Sequence, residues 1–257
     1  MSKRHFKIIN QLNILGKPLF YHPMIVPTEF SLSEEESRHC IASLRFKEND
    51  SIFITDGKGT IVSAKIIKAN PKSCIVQILE TAEYQPSSTK RILVIAPPKT
   101  GEKLDLIVEK AVEIGIDEII FIETRYAERE KINLERLNKI AISAIKQSKQ
   151  AFLPEISGMT KWKQFIEKPI QGSKYIAAIV DSLQLSVVSH LSKELLSSQL
   201  TTDNSQLTIL IGPEGDFSED EVNQAITKGF VPVSLGKNIL RTETAAIYAL
   251  SLINAFV

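Results

Sequence analysis

From Arg91 to the C-terminus, short apolar runs alternate with helix-length amphipathic segments, and few folds accept a chain written that way. Residues 92–96 (Ile-Leu-Val-Ile-Ala) are continuously apolar, as a parallel strand covered on both faces requires. Residues 102–114 then place Leu104, Ile107, Val108, Ala111 and Val112 on one helical face, with Gly115 as the stop. The alternation continues as a strand at 118–123, a helix at 133–151, and strands at 175–180 and 207–211. A capping box, Ser218-x-x-Glu221, opens a helix to Lys228 with Gly229 behind it. A strand at 231–235 and a helix at 242–256 complete the series. The pattern predicts an α/β domain over residues 90–257 with a mainly parallel sheet.

The N-terminal third is written differently. Three β-like runs (51–55, 60–69 and 73–80) are separated by Asp56-Gly57-Lys58-Gly59 and Asn70-Pro71-Lys72, both good turn chemistry. Before them, Ser33 followed by Glu34, Glu35 and Glu36 reads as a serine N-cap with an acidic first turn. A strand meander with one early helix predicts a small β-barrel over 20–82. The polar, proline-bearing stretch 83–89 reads as a linker, and the first twenty or so residues as a lead-in without a period.

Composition narrows the function classes. The net charge is +1, so any affinity for nucleic acid must come from local patches. Cys40 and Cys74 form no Cys-x-x-Cys pair, and His5, His22, His39 and His190 are scattered singly, so no metal is expected. Lys3, Arg4 and Lys7 are followed by no apolar signal core, and no run approaches the ~20 apolar residues of a membrane span. A reduced, cytoplasmic protein is expected.

The chemistry is expected at two glycine-bearing turns, each between an apolar run and a helix. The first is Ile211-Gly212-Pro213-Glu214-Gly215, followed by Asp216-Phe217-Ser218; the second runs from Leu235-Gly236 through Lys237-Asn238-Ile239-Leu240 to Arg241-Thr242-Glu243. Such junctions aim free backbone N–H groups and a helix N-terminus at one point, which suits a small anionic or nucleotide-like ligand. Neither a P-loop nor a dinucleotide fingerprint fits, for want of Gly-Lys-Ser/Thr and of Gly-x-Gly-x-x-Gly.

Thr242 reads as an N-cap and Glu243 either as a first-turn acid or as a base. Arg241 is a cation at a helix N-terminus, a placement opposed by the dipole unless an anion or carboxylate meets it. Arg136, Lys139, Ser143, Lys146 and Gln150 share one face of the 133–151 helix, either a solvated surface or a nucleic-acid contact. Arg38, His39 and Arg45 cluster around the early helix of the barrel, a type that often grips nucleic-acid backbone.

With these residues in view the chain resembles the SPOUT superfamily of trefoil-knotted methyltransferases, and within it the small-subunit ribosomal RNA uridine-N3 methyltransferases. The resemblance is carried by the two turns above, by Lys103 and Leu106 with Glu109-Lys110-Ala111-Val112-Glu113-Ile114-Gly115, and by Arg38-His39, Leu44-Arg45, Phe53 and Asp56-Gly57 of a PUA-like barrel. Two departures stand out: Asp216 where the family commonly has glycine, and Lys146-Gln147-Ser148-Lys149-Gln150 where it usually reads Glu-Gln and then arginine.

The resemblance implies a C-terminal trefoil-knotted domain preceded by that barrel. It further implies S-adenosylmethionine bound by Ile211, Gly212, Pro213, Glu214, Gly215, Leu235, Gly236, Ile239, Leu240, Arg241 and Thr242, and no metal. Arg241 and Glu243 are the catalytic candidates; Arg38, His39, Arg45, Lys139 and Lys146 are the RNA-binding ones. Small-subunit rRNA as substrate and a homodimer are also implied. The competing readings are a SPOUT enzyme acting on tRNA or large-subunit rRNA, and a non-catalytic RNA-binding module.

Overall fold

The computed structural model describes residues 12–14, 16–129, 131–178, 189–190 and 206–256. The chain divides into two compact units, one of Met1–Pro86 with Ile145–Leu153, the other of Ser87–Ala144 with Pro154–Val257.

In the first unit, β1 (Leu19–Tyr21), β2 (Glu29–Ser31), β3 (Ser51–Thr55), β4 (Thr60–Lys68) and β5 (Ile75–Glu83) form a five-stranded sheet in the order β1-β3-β4-β5-β2. Only β1 and β3 run parallel within it. The alternation of β3 and β4 turns Ile52, Ile54, Val62, Ala64 and Ile66 inward against Phe20, Cys40 and Val76. Helix α1 (Glu34–Arg38) is capped as its sequence dictates, the Ser33 side chain accepting from Glu36 N at 3.2 Å. It then widens into one π-turn over His39–Ser43. The strands β1 and β2 escaped the sequence reading because three residues carry no measurable period.

The second unit is a seven-stranded sheet in the order β10-β12-β9-β11-β6-β7-β8, and every pairing in it is parallel. Its strands are β6 (Lys90–Ile95), β7 (Glu118–Glu123), β8 (Glu155–Lys161), β9 (Ser173–Ala177), β10 (Ser189–His190), β11 (Gln206–Ile211) and β12 (Val231–Ser234). The helices are α2 (Gly101–Ile114), α3 (Leu134–Ser148), α4 (Trp162–Ile166), α5 (Glu219–Thr227) and α6 (Thr242–Phe256). One face of the sheet buries Ile92, Val94, Ala96, Ile122, Ile176 and Leu210 beneath Trp162, Phe165, Phe217 and Val222. Residues of opposite parity, Leu93 and Ile95, are buried too, and α2 packs on α6.

The expected strands and helices 92–96, 102–114, 118–123, 207–211 and 231–235 are present within a residue or two. The far end of the 175–180 strand, with Asp181, lies outside the described residues, as do the N-terminal cations Lys3, Arg4 and Lys7.

Three features differ from the sequence reading. The strand β8 and helix α4 were not anticipated: Glu-Ile-Ser-Gly-Met-Thr-Lys is an outer strand, half-buried along its length, and lacks the apolar continuity of its neighbours. Helix α3 stops at Ser148 rather than 151, because Lys149 turns left-handed (φ 60°). The tail beyond it belongs to the first unit, where Gly59 N donates to Ala151 O at 3.0 Å and Leu153 N to Gly57 O at 2.8 Å.

Candidate functional site

Because all seven strands are parallel, their C-terminal ends open on one edge, where an α/β sheet offers its loops to ligands. The central strand β11 ends there in Ile211, and the chain turns through Gly212 and Pro213, both buried, into Glu214 and Gly215, both exposed. Asp216 N closes the turn on Pro213 O at 3.0 Å. Asp216 itself is left-handed (φ 61°), the backbone region where glycine is favoured, and its Oδ1 accepts from Phe217 N at 2.8 Å. The Asp216 side chain therefore replaces glycine's freedom with a local hydrogen bond.

Ser218 then caps α5: its Oγ accepts from Glu221 N at 3.4 Å, while Glu221 Oε2 accepts from Ser218 N at 2.9 Å and Ser218 Oγ at 2.8 Å.

The second turn leaves β12 at Ser234. Its Oγ accepts from Gly236 N at 3.1 Å, and Gly236 adopts φ 136°, which a side chain would strain. Among the described residues, no hydrogen bond engages the backbone N–H of Lys237, Asn238, Ile239 or Leu240. The Arg241 carbonyl accepts from Ala245 N at 2.8 Å, so Arg241 is the N-cap and buried Thr242 the first helical residue. This corrects the expected capping role of Thr242.

The two turns enclose a cavity of about 690 Å³. Its walls include Ile211, Gly212, Pro213, Glu214, Leu235, Gly236, Ile239, Leu240, Arg241 and Thr242, every expected cofactor residue except Gly215. Ala177, Ala178, Asp216, Ser234, Lys237, Asn238 and Ala245 line it as well. The sequence gave no reason to single out Ala177 and Ala178, because their part is to be small at the end of β9. Apolar walls with unpaired backbone donors and a volume of this size suit a nucleoside-sized ligand. Among the described residues no group of His, Cys, Asp and Glu could hold a metal ion.

Glu243 lies beside this cavity and does not line it. Its carboxylate is only 12% exposed, with Lys103 Nζ at 3.5 Å from Oε2, an ion contact without hydrogen-bond geometry. Lys103, on the first turn of α2, also lies 3.7 Å from Glu214 Oε1, and Glu214 accepts from Lys99 N at 3.3 Å. Lys103 thus touches an acid from each turn, a role the sequence reading missed because the three residues are remote in the chain. Arg241 is exposed on the cavity wall, and no described carboxylate pairs with it.

The RNA-contact candidates divide between the units. Arg38, His39 and Arg45 are exposed in the first unit, with Arg38 bound to Glu34 at 2.7 Å across one helical turn. Lys146, in the same unit, is bonded to the nearly buried Glu36. In the second unit Lys139 pairs with Glu135 at 2.7 Å and holds that carboxyl below its ordinary range, and Arg136 pairs with Asp105. Each cation of the expected basic stripe on α3 therefore faces a carboxylate of its own chain.

Residues 85–254 match the model of an RNA methyltransferase domain, and residues 32–79 that of an RNA methyltransferase PUA domain. Ribosomal RNA small subunit methyltransferase E of Synechocystis sp. is 30% identical over 236 residues, covering 90% of this chain and 74% of that one. A crystal structure of a probable rRNA-methyltransferase from Porphyromonas gingivalis is 38% identical, with a TM-score of 0.82 over 93% of this chain and 98% of that one. That of ribosomal RNA small subunit methyltransferase E from Neisseria gonorrhoeae, bound to S-adenosyl methionine, is 26% identical, with a TM-score of 0.77 over 93% and 97%. Among the described residues no helix is long and apolar enough to cross a membrane.

Proposed function

The chain belongs to the small-subunit ribosomal RNA methyltransferase E family of trefoil-knotted SPOUT enzymes, with a PUA-like barrel ahead of the catalytic domain, and from that membership we propose that it methylates N3 of one uridine in small-subunit (16S) rRNA using S-adenosylmethionine. The observation that carries the reading is the cavity between the two turns. It has the size and apolar walls for an adenosyl group, and Lys237–Leu240 N–H groups are left free to donate to it.

Ile211, Pro213, Leu235, Ile239 and Leu240 would hold the adenosyl part by apolar contact, while Gly212 and Gly236 let backbone approach closely. Bound there, S-adenosylmethionine supplies an electrophilic methyl carbon on a sulfonium. The protein's own work is positioning and proton management. In-line displacement gains most of its rate from holding nucleophile and carbon in register. Uridine N3 carries a proton and is a poor nucleophile until that proton is removed or the resulting anion stabilised. Arg241 is placed for the second task, as an unpaired cation on the cavity wall. Glu243 acts on this reading through Lys103 rather than as the base, since it stands outside the cavity.

Arg38, His39 and Arg45 of the barrel would grip rRNA backbone, with Lys139 as a further contact; Lys146 serves the barrel through Glu36. A homodimer, a cytoplasmic site of action and an assembled subunit as target complete the proposal. Exposed Leu106 on α2 and Tyr248 on α6 support the dimer. The deciding experiment is methyl transfer from labelled S-adenosylmethionine to naked rRNA and to assembled small subunits, with the product nucleoside identified. N3-methyluridine in small-subunit rRNA is expected; label in tRNA or large-subunit rRNA, or none at all, would replace the reading.

A further inference from the structure

The loop after β7 is built with more care than a solvated connection needs. Arg125 N donates to Glu221 Oε1 at 2.8 Å, so the buried carboxylate that caps α5 also anchors this loop. Arg129 anchors its far end, donating from Nε to Pro98 O at 2.9 Å and from Nη2 to Lys99 O at 2.6 Å. Between the two anchors stand an aromatic ring and a cation, both turned to solvent. Tyr126 is 49% exposed, and the Arg125 guanidinium lies 5.8 Å from the centre of its ring. The only acid near that guanidinium is Asp220 at 3.9 Å, with both side chains largely exposed, a contact of little worth. The position is equally specific: a Cβ on Gly215 would come within 3.1 Å of the Tyr126 Cβ, so the ring rises from the first cofactor turn itself.

We propose that Arg125 and Tyr126 form a nucleotide platform for the RNA substrate, with Tyr126 stacking on a base beside the target uridine and Arg125 holding a phosphate. A fixed aromatic with an adjacent cation is the pattern that binds single-stranded RNA, since every base offers a π-face and every nucleotide a charge. The platform rests on the methyltransferase reading above, because it deepens that site by naming where flanking RNA lies. It also explains why the capping carboxylate Glu221 is shared: the platform and the cofactor turn move as one body.

The test uses the full-length protein with Tyr126→Ala, Tyr126→Phe and Arg125→Ala. Three quantities are measured: KM for small subunits in methyl transfer, S-adenosylmethionine affinity by calorimetry, and affinity for a fluorescently labelled single-stranded rRNA fragment by anisotropy. Tyr126→Ala should weaken RNA binding and raise KM roughly ten-fold or more, with donor affinity within about two-fold. Tyr126→Phe keeps the ring and should recover most of that loss. Arg125→Ala should weaken RNA binding and flatten its salt dependence by about one phosphate contact, whereas Tyr126→Ala should leave that slope unchanged. RNA affinity and KM within two-fold of the parent for both alanine variants would overturn the platform. If the parent transfers no methyl group, the enzymatic reading fails, and the anisotropy measurement still decides the platform. If Tyr126→Ala fails to fold, Arg125→Ala decides alone, because its side chain is 64% exposed.

Discussion

Lys103 Nζ stands 3.5 Å from Glu243 Oε2, joining the first turn of α2 to the first turn of α6. The same ammonium reaches Glu214 of the other cofactor turn at 3.7 Å. One cation therefore holds two loops that the chain builds far apart, and it neutralises an acid whose Oε2 is buried without a hydrogen bond.

Removing that cation should cost more than a surface ion pair. Lys103→Met leaves the Glu243 carboxylate desolvated and uncompensated, and stability should fall by roughly 1–3 kcal/mol. Donor affinity should fall with it, since both turns lose a tether. The double variant Lys103→Met with Glu243→Gln should recover much of the stability, because no lone charge remains. Urea denaturation of the four proteins forms the cycle. Equal stability of Lys103→Met and the parent would mean that the contact holds nothing.

Gly212 makes the first turn tight. A Cβ there would stand 3.2 Å from Asp216 Oδ1, from Phe217 Cδ2 and from Phe217 N. The Phe217 ring is buried among Trp162 and Val222, so it cannot step aside cheaply. Gly212→Ala should displace the turn and weaken S-adenosylmethionine binding roughly ten-fold or more, a loss of about 1.4 kcal/mol. Calorimetry measures it directly, and unaltered affinity would show that the turn has slack.

How much of this was legible beforehand depended on how local each signal was. The strands β6 and β11 are continuous apolar runs, and Ser218 with Glu221 spell a capping box, so each announces itself within a few residues. Ten of the eleven expected cofactor residues line the cavity for the same reason: they lie on two short stretches. The ion pairs Lys103–Glu243 and Lys146–Glu36 and the sharing of Glu221 by Arg125 are tertiary, and nothing in spacing encodes them. The helical stripe of Arg136, Lys139 and Lys146 misled for a related reason. Periodicity reports which residues share a face, but not which carboxylates already occupy it. The knot belongs with these, since threading is a property of the whole path and local rules argue against it.

Lys149 shows a cost carried by the end of α3. It sits left-handed (φ 60°) where helices favour glycine, and Gln150 N closes back on Ile145 O at 3.0 Å. Burial and then the Lys146 charge lower its pKa. A lysine with a lowered folded pKa is disfavoured in its charged form by folding. That penalty is full below the folded pKa and disappears as pH rises past the unfolded value, ~10.4. Lys149→Gly should therefore stabilise by roughly 0.5–1 kcal/mol at neutral pH, with the charge-related part of the gain vanishing in strong alkali. Denaturant titrations at pH 7 and above pH ~10.4 check both the sign and the trend.

Arg241 brings stability and activity into opposition. Its carbonyl caps α6, and that bond survives any change of side chain. Its guanidinium is an exposed cation at a helix N-terminus, where the dipole opposes it. Arg241→Ala should thus leave stability unchanged or raise it by roughly 0.3–1 kcal/mol. Turnover should move the other way: losing a donor aimed at developing negative charge costs ~10²–10³ in kcat. Donor affinity should change little, because the apolar walls and backbone donors remain. Arg241→Lys should restore only part of the rate, since an ammonium lacks the planar fork that meets a phosphate or uracil oxygens. Single-turnover methylation at saturating donor isolates the step from RNA binding. A full rate in Arg241→Ala would remove this residue from the chemistry and leave charge stabilisation to the free N–H groups of Lys237–Leu240.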